Sequence, residues 1–236
     1  MKILAFETSA KAGSTALLED GVLLAESYQN TGLTHSQTVL SMAENMLKSC
    51  NLTPADLDAV AVAAGPGSFT GVRIGVAAAK GFAWGGELPC YGVSTLEAMA
   101  LQLGVSQGYV CACMDARRSQ VYNALFYVDN GCLERRTEDR AISLEELAQD
   151  LSHLDGEIHL VGDGAALTYR TLKDRCPNLV LPPEHRRHQR AAGVALAAWQ
   201  QYQLGIPADA AALTPNYLRL SQAERERLAK EENAQK

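Results

Sequence analysis

The run Gly65-Pro-Gly67-Ser68-Phe69-Thr70-Gly71-Val72-Arg73-Ile74-Gly75 constrains the fold more than any other stretch of this chain. It follows the apolar stretch Asp58 to Ala64 and precedes a helical pattern from about Thr70 to Trp84. A short apolar run stopped by glycine and proline reads as a buried strand, so this is a strand-to-helix junction in a sheet covered by helices. Loose glycine backbone beside helix-start amides can hold a phosphate. The spacing, however, is G-x-G-x-x-x-G with no following lysine, unlike the G-x-G-x-x-G and Walker loops. Close packing competes with that use. Gly71, Gly75, Gly81 and Gly85 recur along the helix, and each interior glycine costs about 1 kcal/mol relative to alanine. Packing is preferred for Gly75 and Gly81, while both uses stay open for Gly67 to Thr70.

The chain begins differently, as a meander of strands over Lys2 to Ser9, Gly13 to Leu18 and Val22 to Tyr28. Asp20-Gly21 between the last two predicts a tight hairpin, because both central positions of that turn need positive φ. Thr34 and Gln37 form a T-x-x-Q capping-box pattern that starts a helix. Within it Val39, Leu40, Ala43, Met46, Leu47 and Cys50 repeat at helical spacing, and Met42 widens the stripe. Covering the chain's own sheet and meeting another chain are both open for that face. From Gly108 the order repeats: strands Tyr109 to Met114 and Val121 to Val128, helix Leu144 to Leu154, strand Ile158 to Val161, then a helix from Ala165. Two related halves follow, residues 1–106 and 107–220, with helix Gln189 to Leu204 in the second. A charged tail, 221–236, is expected to be an exposed or frayed helix.

The formal net charge of -6 excludes broad electrostatic binding of nucleic acid, which needs a basic face. The one basic cluster, Arg186, Arg187 and Arg190 with His185 and His188, reads as a solvated helix start or a local RNA contact. No apolar run reaches the ~18 residues that a membrane span needs, so a cytoplasmic protein is expected. The cysteines at 50, 90, 111, 113, 132 and 176 form no CxxC pair, the histidines show no HExxH spacing, and Gly65 to Ser68 lacks the glycine of a G-x-S-x-G elbow. No metal, cofactor or catalytic residue is therefore expected. The remaining candidates are hydroxyls and turns suited to a magnesium-phosphate group: Thr8 and Ser9 beside Glu7, Gly67 and Ser68, and Gly162-Asp163-Gly164 after a strand. They leave open an autonomous phosphotransferase or ATPase.

Taken in order, the glycine run, Gly92-Val93-Ser94-Thr95-Leu96, Asp115-Ala-Arg-Arg-Ser-Gln-Val-Tyr122 and Pro215-Asn-Tyr-Leu-Arg219 closely resemble the bacterial TsaB family, also called YeaZ. The resemblance implies an α/β, actin-like (ASKHA, ribonuclease H-like) fold of two related subdomains, each a mixed sheet flanked by helices. It implies a non-catalytic subunit for threonylcarbamoyladenosine formation at adenosine 37 of tRNAs reading ANN codons. In that family the transfer is performed by the paralogue TsaD with the ATPase TsaE. The subunit forms a homodimer without TsaD, and meets tRNA only through the complex. The paralogue's two metal-binding histidines fall at Thr95 and Met99 here, neither a plausible ligand. The family's first-strand Asp-Thr is Glu7-Thr8, whose longer carboxylate carries the charge outward. The early helices become the partner or dimer interface, with Val39, Leu40, Met42, Ala43, Met46 and Leu47 on the first and Gly71, Ile74, Gly75 and Ala78 on the second.

Overall fold

The computed structural model describes residues 1–219, so the tail expected over 221–236 lies outside the described residues. Strands β1 (Lys2–Glu7), β2 (Gly13–Glu19) and β3 (Val22–Gln29) pair antiparallel. Asp20 and Gly21 make the tight turn between β2 and β3 with φ of 48° and 82°. On the other side of β1, strands β4 (Ala59–Gly65) and β5 (Cys90–Ser94) are added in parallel, giving the order β3-β2-β1-β4-β5.

The second half repeats this plan. Strands β6 (Gly108–Asp115), β7 (Gln120–Asp129) and β8 (Cys132–Arg135) form the meander, and β10 (Ile158–Val161) and β11 (Leu179–Val180) join β6 in parallel. The resulting order, β11-β10-β6-β7-β8, is the first sheet's order again, with β9 (Arg140–Ser143) added along β7.

Alternation along β1 explains the layers, because successive strand residues face opposite sides of a sheet. Leu4 and Phe6 meet α1 (His35–Ser49) and α2 (Phe69–Gly85), while Ile3 and Ala5 meet α7 (Ala191–Gln203). The α7 side is lined by alanines, which lets α7 and α3 (Thr95–Leu103) lie close: a Cβ on Gly193 would strike the Ala98 carbonyl. Helix α3 also packs Leu96, Met99 and Leu103 against Val110, Ala112 and Phe126 of the second sheet, so it is the wedge between the halves. Helices α4 (Leu144–Ser152) and α5 (Ala165–Leu172) cover that sheet's far face, and the four-residue α6 (Glu184–Arg187) leads into α7. A cut at residue 106 therefore leaves on the second segment a helix, α7, that packs on the first sheet.

Two helix starts differ in chemistry. Thr34 stands at the N-cap of α1, but its side chain makes no capping bond, so the T-x-x-Q box is not formed. Instead His35 Nε2 bonds the Ala10 carbonyl at 2.7 Å and anchors the helix to the β1–β2 loop. On α4 the box is complete: Ser143 Oγ accepts from the Glu146 amide at 3.1 Å, and Glu146 Oε2 accepts from the Ser143 amide at 3.0 Å. Ser143→Ala is expected to cost about 1 kcal/mol, read as a lower denaturation midpoint. An unchanged midpoint would mean that Leu144, Leu147 and Leu151 fix α4 by packing alone.

Candidate functional site

The C-terminal ends of β1, β4 and β6 open on one cleft of about 540 Å³ between the halves. Ser9, Lys11, Gly67, Ser68 and Phe69 line it from the first half, Asp115, Arg117 and Asp163 from the second. A strap over residues 207–219 closes its side. The Asn216 amide donates to the Ala64 carbonyl at 2.7 Å, the Tyr217 ring stacks on Phe69 at 4.4 Å, and Arg219 Nη1 donates to the Ala116 carbonyl at 2.6 Å. Arg73 Nε donates to the Tyr217 hydroxyl at 2.7 Å, so α2 and the strap are pinned together.

The structure brings Ser9, Gly67, Ser68 and Asp163 to this cleft and leaves Thr8, Gly162 and Gly164 out of its wall. Thr8 Oγ1 donates to the Gly71 carbonyl at 2.8 Å, and a Cβ on Gly71 or Gly75 would strike Thr8. Those two glycines let α2 sit on the end of β1. Gly162 and Gly164 serve the same purpose against β6, where a Cβ on Gly164 would lie 2.9 Å from the Asp115 nitrogen. Two amides of the α2 start are already engaged, that of Ser68 with the Ser9 carbonyl at 2.6 Å and that of Gly71 with Ser68 Oγ at 3.3 Å. The loop caps itself, which lowers its capacity for a phosphate.

Beneath the cleft floor the charge is acidic. Glu7 is buried, and desolvation raises its carboxyl to about 7, opposed by bonds from Ser9 and helped by the nearby Asp163. Burial also raises Asp163, against a hydrogen bond from Gln189. The sequence-based expectation that the longer carboxylate of Glu7 carries its charge outward is corrected here, since Glu7 is 1% exposed. Thr95 and Met99 are both fully buried, Met99 inside the core between α3 and the second sheet. Of the basic cluster, Arg186 Nη2 donates to the Leu103 carbonyl at 2.8 Å and Arg190 pairs with Glu26, so two of its three arginines are tied within the chain. Among the described residues, no three His, Cys, Asp or Glu side chains come together as a metal site, and no helix is long and apolar enough to cross a membrane.

The other candidate surface is the face of α1 and α2. Here the sequence-based expectation needs correcting: Val39, Met42, Ala43, Met46 and Leu47 are buried on the chain's own sheet, and Gly71 and Gly75 are buried against Thr8. Of these seven, Leu47 alone reaches the groove between the helices; the other six are turned to the sheet or to Thr8. Leu40 is 49% exposed, and Ile74 and Ala78 are partly exposed beside exposed Ala77 and Gly81. Leu40, Ala77, Ala78 and Gly81, with Leu52 and Phe82, line a groove of about 610 Å³ between the helices, and Ile74 lies outside it. At its rim Lys48 Nζ pairs with Glu44 at 2.7 Å, which neutralises the edge. A Cβ on Gly81 would meet nothing within 4 Å, so the cost of that helix-interior glycine has no reason within the chain.

Comparison with known proteins agrees with this architecture. Residues 29–227 match the family model of TsaD, tRNA N6-adenosine threonylcarbamoyltransferase. The Bacillus subtilis tRNA threonylcarbamoyladenosine biosynthesis protein TsaB is 33% identical over 225 residues, 95% of this chain and 96% of that protein. Its Escherichia coli namesake is 38% identical over 70% of this chain and 72% of its own length. Among solved structures, YeaZ from Pseudomonas aeruginosa superposes with a TM-score of 0.76 at 28% identity, covering 92% of this chain and 99% of that one. A ROK hexokinase from Thermus thermophilus, 12% identical with a TM-score of 0.50, shares the fold alone; it covers 87% of this chain and 100% of that one. The match to TsaB over 95% of the chain, on a duplicated sheet with an actin-like fold, places the chain in the TsaB family of tRNA threonylcarbamoyladenosine biosynthesis proteins.

Proposed function

We propose that this chain is a non-catalytic subunit that supports threonylcarbamoyladenosine formation at adenosine 37 of ANN-reading tRNAs by binding a TsaD-type transferase, with a TsaE-type ATPase as third member. The observation that carries the reading is the exposed, small-residue face of α2 beside Leu40: its Gly81 makes no contact that excludes a side chain, yet the groove around it is apolar and nearly uncharged. A close helix-helix approach by a second chain gives that glycine a purpose. Without the transferase, a second copy of this chain occupies the same face. Thr95 and Met99, standing where the transferase has its metal ligands, are core residues here and offer nothing to a substrate. Contact with tRNA is made through the assembled complex, in the cytoplasm.

Calorimetric titration with the transferase tests this. One-to-one binding at micromolar affinity or better, about -8 kcal/mol, is expected, and absence of binding would remove the reading. A phosphotransferase reading draws on Ser9, Ser68 and Asp163 sharing one cleft. Because the α2 start is self-capped, the isolated chain is expected to leave ATP unbound at about 1 mM in equilibrium dialysis. Saturable ATP binding with turnover would favour the phosphotransferase instead.

A further inference from the structure

The mouth of the cleft carries the opposite charge from its floor. Lys11 on the β1–β2 loop and Arg117 on the β6–β7 loop line it from the two halves, and Arg118 stands exposed beside Arg117. Arg73 of α2 adds a fourth cation at the strap, where its Nε donates to the Tyr217 hydroxyl at 2.7 Å. Among the described residues none of these four is paired with a carboxylate, whereas Arg135, Arg140, Arg175 and Arg190 each are. In a chain of net charge -6, four such cations around one opening reverse the sign locally.

The loop that presents two of them is held in a costly shape. Arg117, Arg118 and Ser119 all have positive φ, at 65°, 57° and 56°, and backbone of that kind concentrates at surfaces that serve a ligand. The nearest carboxylate, Asp115, is engaged by that backbone: its Oδ1 accepts the Arg117 amide at 2.7 Å. An aromatic surface lies alongside, since the Tyr217 ring is 39% exposed, lines the cleft and stacks on Phe69. Cations beside an exposed ring are what binds a looped or single-stranded polynucleotide, the cations taking phosphates and the ring a base. An acidic protein surface would use the cations and leave the ring idle. The buried Asp163 and the self-capped start of α2 keep phosphates off the floor, so a polyanion is held at the mouth.

We propose that the cleft mouth is this chain's own contact with the tRNA, in which Lys11, Arg73, Arg117 and Arg118 neutralise backbone phosphates and Tyr217 stacks an unpaired base. The inference rests on the proposed function, because four cations on an acidic chain hold RNA only as one part of the assembled complex.

The test uses the complex of the full chain with its TsaD-type and TsaE-type partners and a fluorescent ANN-reading tRNA, followed by anisotropy over a range of salt. The chain carrying Lys11→Ala, Arg117→Ala and Arg118→Ala together is expected to bind the transferase as the parent does in calorimetry. Its complex should hold the tRNA at least about 10-fold more weakly at about 0.1 M salt, and the slope of log affinity against log salt should fall by about 2, because each phosphate contact contributes about 0.7–0.9. Tyr217→Leu should weaken the tRNA about fivefold or more with the slope kept, and Tyr217→Phe should restore it, since stacking needs a ring and no charge. An unmoved affinity and slope in the triple variant, or full affinity in Tyr217→Leu, would overturn this inference and leave the transferase-binding reading standing. Loss of transferase binding in the triple variant would assign the patch to an acidic protein surface and overturn it too. Failure of the parent chain to bind the transferase at all would remove the proposed function, and this inference with it.

Discussion

Arginine in place of Gly81, or glutamate in place of Leu40, is expected to weaken binding of a TsaD-type partner at least about 100-fold while leaving the isolated chain folded. Leu40 is half exposed, and a side chain on Gly81 would point into open space, so neither change touches the core. Removing the glycine even improves helix propensity, by up to about 1 kcal/mol. In the complex the same side chains would bury an unpaired charge in an apolar groove, at a cost of about 3 kcal/mol or more, which corresponds to that loss of affinity. Calorimetry of binding, paired with thermal melting of the free chain, separates the two effects. Met46→Glu gives the opposite pattern: Met46 is 6% exposed in the core beneath α1, so the fold itself should fail. Full affinity in Gly81→Arg and Leu40→Glu would place the working surface elsewhere.

Glu7→Gln should stabilise the chain above pH 7 and flatten its pH dependence. In the unfolded chain Glu7 loses its proton near 4.5, while in the folded chain it keeps the proton up to about 7. Between those values the folded state binds more protons, so the parent chain's stability falls as pH rises from about 4.5 to about 7 and is level beyond. That interval, at about 1.36 kcal/mol per pH unit, amounts to about 3 kcal/mol, or roughly 6–12 °C in midpoint for a chain of this size. Glutamine keeps the shape and can still accept from the Ser9 amide, but carries no charge to desolvate. Thermal melts at pH 5 and pH 8, about 3 units apart, should show the variant gaining mainly at the higher value. Equal gains at both would assign the effect to packing.

The glycine run marked the β4–α2 junction, and Asp20-Gly21 marked the hairpin, because each needs backbone geometry that few other residues adopt. The repeat of the two halves was visible as strands followed by alternation. The sidedness of α1 was not: spacing shows that Val39, Ala43 and Met46 share a face, but not whether a sheet or another chain covers it. Helix α3 carries Leu96, Ala98, Met99, Ala100 and Leu103 all buried, because it is enclosed on two sides and shows no single stripe. Short polar strands such as β8 and β9 lack an apolar signature and depend on β7 for their existence. At the candidate site, the sequence named Ser9, Gly67, Ser68 and Asp163, which the cleft gathers. The strap residues Tyr217 and Arg219 escaped as cleft residues because their partners, Phe69 and Ala116, are more than a hundred positions away.

Reconstituted transfer of a threonylcarbamoyl group to an ANN-reading tRNA measures the role of this chain most directly. Modified adenosine should form only when the chain is combined with its TsaD-type and TsaE-type partners, and should vanish with Gly81→Arg. Modification by the purified chain on its own would contradict a subunit whose work is done by a helical surface.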